Sequence, residues 1–124
     1  MILDSNIIIY AAEPRGDSLR ELILREAPAV SAISYVEVLG YHSLRQVEKE
    51  FLESFFKAAE ILPIDQAVIE RAVGLRQQRK MGLGDALIAA TALVHRRTLV
   101  TRNTVDFAWV PDLRMVDPLT AEGE

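Results

Sequence analysis

The fold is decided by the stretch Gly84-Asp85-Ala86-Leu87-Ile88-Ala89-Ala90-Thr91-Ala92-Leu93-Val94. After Asp85 its side chains are almost all small or apolar, so a helix formed here has no polar face to turn to water. Glycines at positions 82 and 84 break the chain before it, and we expect the helix to run from Asp85 to Arg97. A helix of this kind must be largely buried, which requires a fold built in layers.

Short apolar runs on either side of this helix indicate strands, and the longer amphipathic stretches between them indicate helices. We place the strands at Met1 to Leu3, Ala29 to Ala32, Ile61 to Ile64, Thr98 to Thr101 and Arg114 to Val116. The alternation predicts an α/β fold, a three-layer α/β/α sandwich with a central, mainly parallel five-stranded sheet. We expect residues 1–124 to form a single domain. Pro63 indicates that the third strand lies at an edge of the sheet, where a missing N–H group does no harm.

Two further helical segments are predicted with enough detail to be tested. Residues Ser34 to Tyr41 form one, and Leu44 to Glu60 form a longer amphipathic helix. The apolar stripe of the longer helix is expected to contain Val47, Phe51, Phe55 and Ala58. Its phenylalanines indicate packing in the core or in a dimer interface.

The composition is that of an ordinary globular chain with a slight excess of acid. Its 18 acidic and 14 basic residues give a formal net charge of −4, which argues against a protein that coats nucleic acid by bulk electrostatics. No apolar run approaches the roughly 20 residues that a membrane span needs. The chain also contains no cysteine, which excludes disulfides and thiolate metal sites. We therefore expect a cytoplasmic protein with no membrane partner.

Acidic and amide side chains recur shortly after the predicted strands. Asp4 follows the first strand, Glu37 comes after the second, Asp85 opens the buried helix, and Asn103 and Asp106 follow the fourth strand. In open parallel sheets, sites form in the crevice beyond the carboxyl ends of the strands. These positions are therefore the first candidates for chemistry.

Each of these residues also has a purely structural explanation. Asp4 can cap the helix that follows it, and Ser34 with Glu37 fits a capping box. Asp85 can be an acid that the helix dipole favours at a helix start, and the polar residues after the fourth strand suit a turn. For any single residue, sequence position leaves both interpretations open.

Taken together, the acids favour a chemical role. Several carboxylates in one crevice repel each other and raise their own proton affinities. A fold accepts this cost where a cation neutralises them, and hard oxygen ligands select Mg²⁺, with Mn²⁺ as a substitute. Mg²⁺ held by few carboxylates keeps positions for water and phosphate oxygens, which suits hydrolysis of a phosphodiester. The pattern predicts this chemistry provided that the fold brings the acids together.

Four segments of the chain resemble the PIN-domain family, and most closely its VapC-type toxins from prokaryotic toxin–antitoxin pairs. They are Ile2-Leu3-Asp4-Ser5-Asn6, Ser31-Ala32-Ile33-Ser34-Tyr35-Val36-Glu37, Gly84-Asp85-Ala86-Leu87-Ile88-Ala89-Ala90-Thr91-Ala92 and Thr101-Arg102-Asn103-Thr104-Val105-Asp106-Phe107. Each segment alone is a weak signal, but all four occur in order and cover essentially the whole chain. The resemblance implies a PIN-like nuclease domain with the activity of a Mg²⁺-dependent endoribonuclease.

The resemblance also assigns roles to the acids. Asp4, Glu37 and Asp85 would be the core catalytic acids and metal ligands, with Asp4 and Asp85 the direct ones. Asn103 stands where many members of the family carry an aspartate, so it could bind a metal only through its carbonyl oxygen or through water. Asp106 is the acid that could compensate, or its position could serve the structure of the loop instead, and both Asn103 and Asp106 remain catalytic candidates. The number of metal ions, one or two, stays open.

Residues around the acids receive supporting roles by the same resemblance. Three small polar residues, Ser5, Asn6 and Ser34, are expected to orient the carboxylates. The candidates for substrate contact are the cations around the crevice, and a solvated surface role explains any single one equally well. They are Arg15, Arg79, Lys80 and Arg102. The RNA cut by such enzymes is typically single-stranded or in a loop, where the backbone can enter the site.

Protein partners are implied as well. Members of this family usually form homodimers and are held inactive by a cognate antitoxin. The apolar first helix, with Ile7 to Ile9, or the long amphipathic helix would suit a dimer or antitoxin contact of the helix-in-groove kind. Packing in the core explains Ile7 to Ile9 equally well.

Three other classes of protein were weighed. A non-catalytic PIN-like binding module would have no need of the repulsion between its acids. A receiver-type phosphorylation domain would need an acidic pair after the first strand and a lysine after the last, and this chain has neither. A DNA-directed nuclease would use the same metal chemistry, so only the resemblance favours RNA as substrate.

Overall fold

The computed structural model describes residues 1–119, so the last five residues of the domain predicted over residues 1–124 lie outside the described part. The strands are Ile2–Leu3 (β1), Ala29–Ser31 (β2), Ile61–Leu62 (β3), Leu99–Val100 (β4) and Met115–Val116 (β5). The helices are Ser5–Ala11 (α1), Asp17–Glu26 (α2), Ala32–Leu39 (α3), Gln46–Ala58 (α4), Gln66–Gln78 (α5), Leu83–His95 (α6) and Thr104–Phe107 (α7).

Within residues 1–119 the strands form one five-stranded sheet in the order β3-β2-β1-β4-β5. Every strand pair in this sheet is parallel, which confirms the predicted architecture. The chain builds outward from β1 to β2 and β3, then returns to the other side of β1 to add β4 and β5. The connections therefore diverge between β1 and β4, and such a switch point opens a crevice at the carboxyl ends of the two strands.

The pleat of the strands divides the apolar side chains between two cores. Ile2 and Leu99 point to the face covered by α5 and α6, whereas Leu3 and Val100 point to the face covered by α1 to α4. Successive residues of a strand face opposite sides of a sheet, so β1 and β4 each contribute to both cores. The result is the predicted α/β/α sandwich.

Helix α6 is buried as its sequence requires. Side chains from Ala86 to Ala92 lie against the sheet, α5 and α3, and most of them are fully buried. Its one buried hydroxyl in this stretch, on Thr91, donates to the carbonyl of Leu87 at 2.6 Å and so avoids an unpaired polar group. The helix begins at Leu83, two residues before the predicted start, and Asp85 therefore lies in its first turn.

The start of α3 differs from the prediction. Ser31 caps this helix, because its Oγ accepts from the backbone N–H of Ile33 at 3.2 Å. Ser34 consequently lies inside the first turn, which excludes the capping box as the explanation of Ser34 and Glu37. Both side chains are thereby available for contacts outside their own helix.

The apolar stripe of α4 was also predicted one residue out of place. Leu52 and Phe56 are the buried residues of this helix, while Val47 is 71% exposed. Phe51 and Phe55 are only partly buried at the border of the stripe. Strand β3 lies at the sheet edge as predicted, but Pro63 follows the strand. Among residues 1–119, no helix is long and apolar enough to cross a membrane.

Candidate active site

Asp4 lies at the switch point of the sheet, directly after β1. Its Oδ1 accepts from the backbone N–H of Asn6 at 3.0 Å, which caps α1, and its Oδ2 accepts from the Thr101 hydroxyl at 2.7 Å. The side chain is buried, with 6% of the residue exposed. The predicted capping role is therefore confirmed, and the same two hydrogen bonds fix the direction of the carboxylate.

Thr101 is a residue of the site to which the sequence pattern assigns no role. It follows β4 as Asp4 follows β1, and the pairing of these strands places the two residues side by side. Its Oγ1 accepts from the backbone N–H of Asn103 at 2.9 Å while donating to Asp4. The signal that could have identified it was its position, the first residue after the strand beside β1.

A chain of hydroxyl groups leads to Glu37. The Ser5 hydroxyl donates to Glu37 Oε1 at 2.7 Å and lies 2.8 Å from the Ser34 hydroxyl. Because Ser5 has one proton and gives it to the carboxylate, Ser34 must be the donor to Ser5. Ser5 and Ser34 therefore orient Glu37. Asn6 contributes through its backbone N–H to Asp4, and its side chain is exposed.

Gly84 is a second residue that the sequence did not single out for the site. A Cβ atom at this position would lie 2.1 Å from Glu37 Oε2 and 3.0 Å from the carboxyl carbon. The Glu37 carboxylate thus rests against the backbone at the start of α6. Gly84 brings α3 and α6 close enough for Glu37 and the neighbouring Asp85 to share one crevice.

Asp85 is the acid whose ionisation the site changes most clearly. Partial burial raises its pKa above the ordinary value of 3.8, and the negative charges of Asp4, Glu37 and Asp106 raise it further. These three acids come from segments far apart in the sequence. Their effect on one carboxyl group shows that the fold brings them to the same region.

Asn103 and Asp106 interact with each other. The Asn103 side-chain amide donates from Nδ2 to Asp106 Oδ2 at 3.0 Å, across the first turn of α7. Asp106 is exposed and lines the same cleft as Asp85. Asn103 therefore holds the acid that the sequence pattern suggested as a compensating charge.

The acids are gathered but do not form a closed set of ligands. Within residues 1–119, no group of three or more histidine or acidic side chains stands close enough to hold a metal ion. The Glu37 carboxylate is drawn toward Ser5 and rests on Gly84. The arrangement therefore gives no direct support to Glu37 as a third ligand beside Asp4 and Asp85.

The predicted substrate cations divide into two groups. Arg79 and Lys80 line a cleft of about 650 Å³ together with Asp85 and Asp106, and Arg76 is a cation there that the sequence did not suggest. The other two predicted cations, Arg15 and Arg102, do not line this cleft. Arg15 lies over the Tyr10 ring, 5.4 Å from the ring centre, and forms an ion pair with Glu13 at 3.6 Å. Arg102 forms an ion pair with Asp117 at 3.4 Å.

Comparison with known proteins agrees with this architecture. The family model of the PIN domain matches residues 1–112. A curated relative, the tRNA(fMet)-specific endonuclease VapC of Shigella flexneri, is 29% identical over 126 residues, covering 94% of this chain and 96% of the relative. A chain in a toxin–antitoxin complex from Klebsiella pneumoniae is 34% identical with a TM-score of 0.75, covering 94% of this chain and 96% of that one. A chain in DNA-bound VapBC from Salmonella typhimurium has a TM-score of 0.81, and the match covers 94% of this chain and 96% of that one. Its sequence identity is 21%, so this match shows a similar fold alone.

The chain therefore belongs to the PIN-domain family, and its relatives place it with the VapC type. The family resemblance drawn from the four sequence segments is confirmed.

Replacing Asp85 with asparagine should stabilise the protein in metal-free buffer. The folded pKa of Asp85 is raised, so above that pKa its ionised form destabilises the fold. In EDTA at pH 7, Asp85→Asn should therefore raise the Tm, measured by circular dichroism. The difference in Tm between the variant and the parent should close as the pH falls through the raised pKa.

Asp65→Asn is the matched control, because Asp65 caps α5 and asparagine caps a helix as well as aspartate does. A lower Tm for Asp85→Asn than for the parent would contradict the electrostatic interpretation.

Proposed function

We propose that this protein is a metal-dependent endoribonuclease that hydrolyses RNA phosphodiester bonds as the toxin of a toxin–antitoxin pair. The observation that carries the proposal is the convergence of acids from three distant segments on Asp85, at the switch point of a parallel sheet. Such convergence costs stability in the free protein, and a bound cation would offset that cost. The Shigella flexneri relative is named a tRNA(fMet)-specific endonuclease, which supports RNA as the substrate.

The residues present fit Mg²⁺ as the bound cation. The side chains of the site offer hard oxygen donors, and their summed charge is negative. Mg²⁺ commonly keeps several waters and takes only one or two protein carboxylates. Asp4 and Asp85 would hold it directly, and Glu37 would act through water. Mn²⁺ prefers the same donors and should substitute.

The surrounding side chains prepare these acids for binding. When bound, the cation would activate a water molecule and stabilise the departing oxygen of the phosphodiester. Thr101 and the N–H of Asn6 keep Asp4 oriented, because each oxygen of its carboxylate accepts one hydrogen bond. Ser5 holds Glu37 in the same way. Arg79 and Lys80 lie beside Asp85 and would attract the phosphate backbone.

An antitoxin partner is supported by the solved complexes that resemble this chain, among them the one from Klebsiella pneumoniae. An apolar groove of about 540 Å³ runs between α2 and α4, with Leu24, Phe51 and Phe55 in its lining. Leu24 is 86% exposed and lies beside the phenylalanines in one apolar lining, and contiguous apolar surface of this kind marks interaction sites. We propose that an apolar segment of the antitoxin covers this groove. The homodimer implied by the family resemblance stays a prediction, as does the cytoplasmic location.

The function is tested by incubating purified protein with a mixed pool of RNAs, in Mg²⁺ and in EDTA. We expect cleavage only with Mg²⁺, and a loss of at least a hundredfold in both Asp4→Asn and Asp85→Asn. Single-stranded DNA of matching sequences distinguishes a DNA-directed nuclease. No cleavage of either polymer by a folded parent would leave a non-catalytic binding module as the better account. Cleavage that persists in EDTA would exclude the metal mechanism.

The contact between Gly84 and Glu37 gives a second test. Gly84→Ala should push the Glu37 carboxylate out of place and lower the cleavage rate about 10- to 100-fold, the usual effect of disturbing a residue that supports a metal site. The matched control is Gly74→Ala, because a Cβ atom there meets no atom within 4 Å and the residue does not line the cleft. Equal activity of the two variants, with both folded by circular dichroism, would show that the position of Glu37 does not matter.

A further inference from the structure

An aromatic and basic surface adjoins the acids in the cleft. Arg79 lies over the indole ring of Trp109, with its guanidinium carbon 5.3 Å from the ring centre. Both residues line the cleft that contains Asp85 and Asp106. Trp109 is partly exposed while also packing against the core on the α6 side of the sheet, so its ring is anchored.

One cation of this surface is tied to the loop that leads to the acids. Arg76, near the end of α5, donates from Nε to the Met81 carbonyl at 3.1 Å. This bond ties α5 to the short loop that leads into α6, the helix that carries Asp85. Arg79 and Lys80 belong to that loop. A strand bound along it would therefore meet these cations in the same cleft as Asp85 and Asp106.

We propose that Trp109 is a stacking platform for one unpaired nucleobase of the substrate strand, next to the bond that is cut. The inference rests on the proposed function, since it takes the ligand to be single-stranded RNA. A base that stacks on the indole would replace the Arg79 guanidinium, because stacking on an aromatic ring is stronger than an exposed cation–π contact. Arg79 would then pair with the adjoining phosphate.

The surroundings of the ring suit a base and its phosphate. Val105, which is 84% exposed, lies in the same cleft and offers apolar surface at the edge of the platform. Arg76, Arg79 and Lys80 offset the negative charge of the neighbouring acids, which would otherwise repel the strand. The chain as a whole carries a net charge of −4, so binding depends on such a local basic surface.

The platform can be observed directly because Trp109 is the only tryptophan in the chain. The protein is used as Asp85→Asn in EDTA, which is not expected to cleave and has one negative charge fewer in the cleft. A single-stranded RNA octamer should quench the tryptophan fluorescence as it saturates the site. An abasic octamer with the same phosphates should bind more weakly and leave the fluorescence nearly unchanged. Equal quenching by the two octamers, or none by either, would overturn the proposal.

Variants supply a second measurement. In the cleaving parent background, Trp109→Ala should raise KM for single-stranded RNA about tenfold with a smaller effect on kcat, since stacking binds the strand. Trp109→Phe keeps an aromatic ring that packs and stacks, and should retain most of the binding. Tyr41→Ala removes another exposed aromatic side chain and should leave both constants unchanged. An unchanged KM in Trp109→Ala would contradict the platform.

The two proposals fail separately. Base-dependent quenching without cleavage in Mg²⁺ would support the stacking platform and refute the nuclease. Metal-dependent cleavage with an octamer that binds without base-dependent quenching would support the nuclease and refute the platform.

Discussion

The hydrogen bond between Thr101 and Asp4 joins the ends of the two central strands, and the rest of the site is arranged around it. It spans 2.7 Å across the switch point, where the chain connections diverge to the two sides of the sheet. A parallel sheet places the residues that follow its strands at one edge, so this bond depends on the pairing of β1 with β4. With Asp4 fixed, α1 begins beside it and brings Ser5 to Glu37.

The same arrangement lowers the stability of the free protein, because it gathers carboxylates at the proposed site. Partial burial raises the pKa of Asp85, and the charges of Asp4, Glu37 and Asp106 raise it further, so the ionised carboxylate is unfavourable in the free protein. The buried helix α6 resists this repulsion because it packs against α5 and the sheet along most of its length. Within residues 1–119 the acids of the crevice do not form a closed ligand set of three or more side chains.

Much of the fold could be predicted because its signals are local. The apolar run of α6 and the short apolar strands specify a layered parallel sheet, and acids after strands indicate its functional edge. The contacts of Ser34, Thr101 and Gly84 could not be predicted in the same way, since each depends on a partner distant in sequence. The α3 start was missed because Ser31 and Ser34 both suit a cap, and only the length of β2 decides between them. Similarly, Arg15 and Arg102 look like substrate ligands in sequence, but the fold places them outside the cleft.

The central claim is that these carboxylates bind a divalent cation, and Mn²⁺ binding followed by electron paramagnetic resonance tests it most directly. Free Mn²⁺ gives a sharp six-line signal that weakens on binding, so the measurement needs no substrate. The account predicts that the folded parent removes Mn²⁺ signal, that excess Mg²⁺ restores it, and that Asp4→Asn and Asp85→Asn bind at least tenfold more weakly. Asp65→Asn should bind as the parent does. Equal Mn²⁺ binding by all four proteins, or none by the parent, would contradict the account.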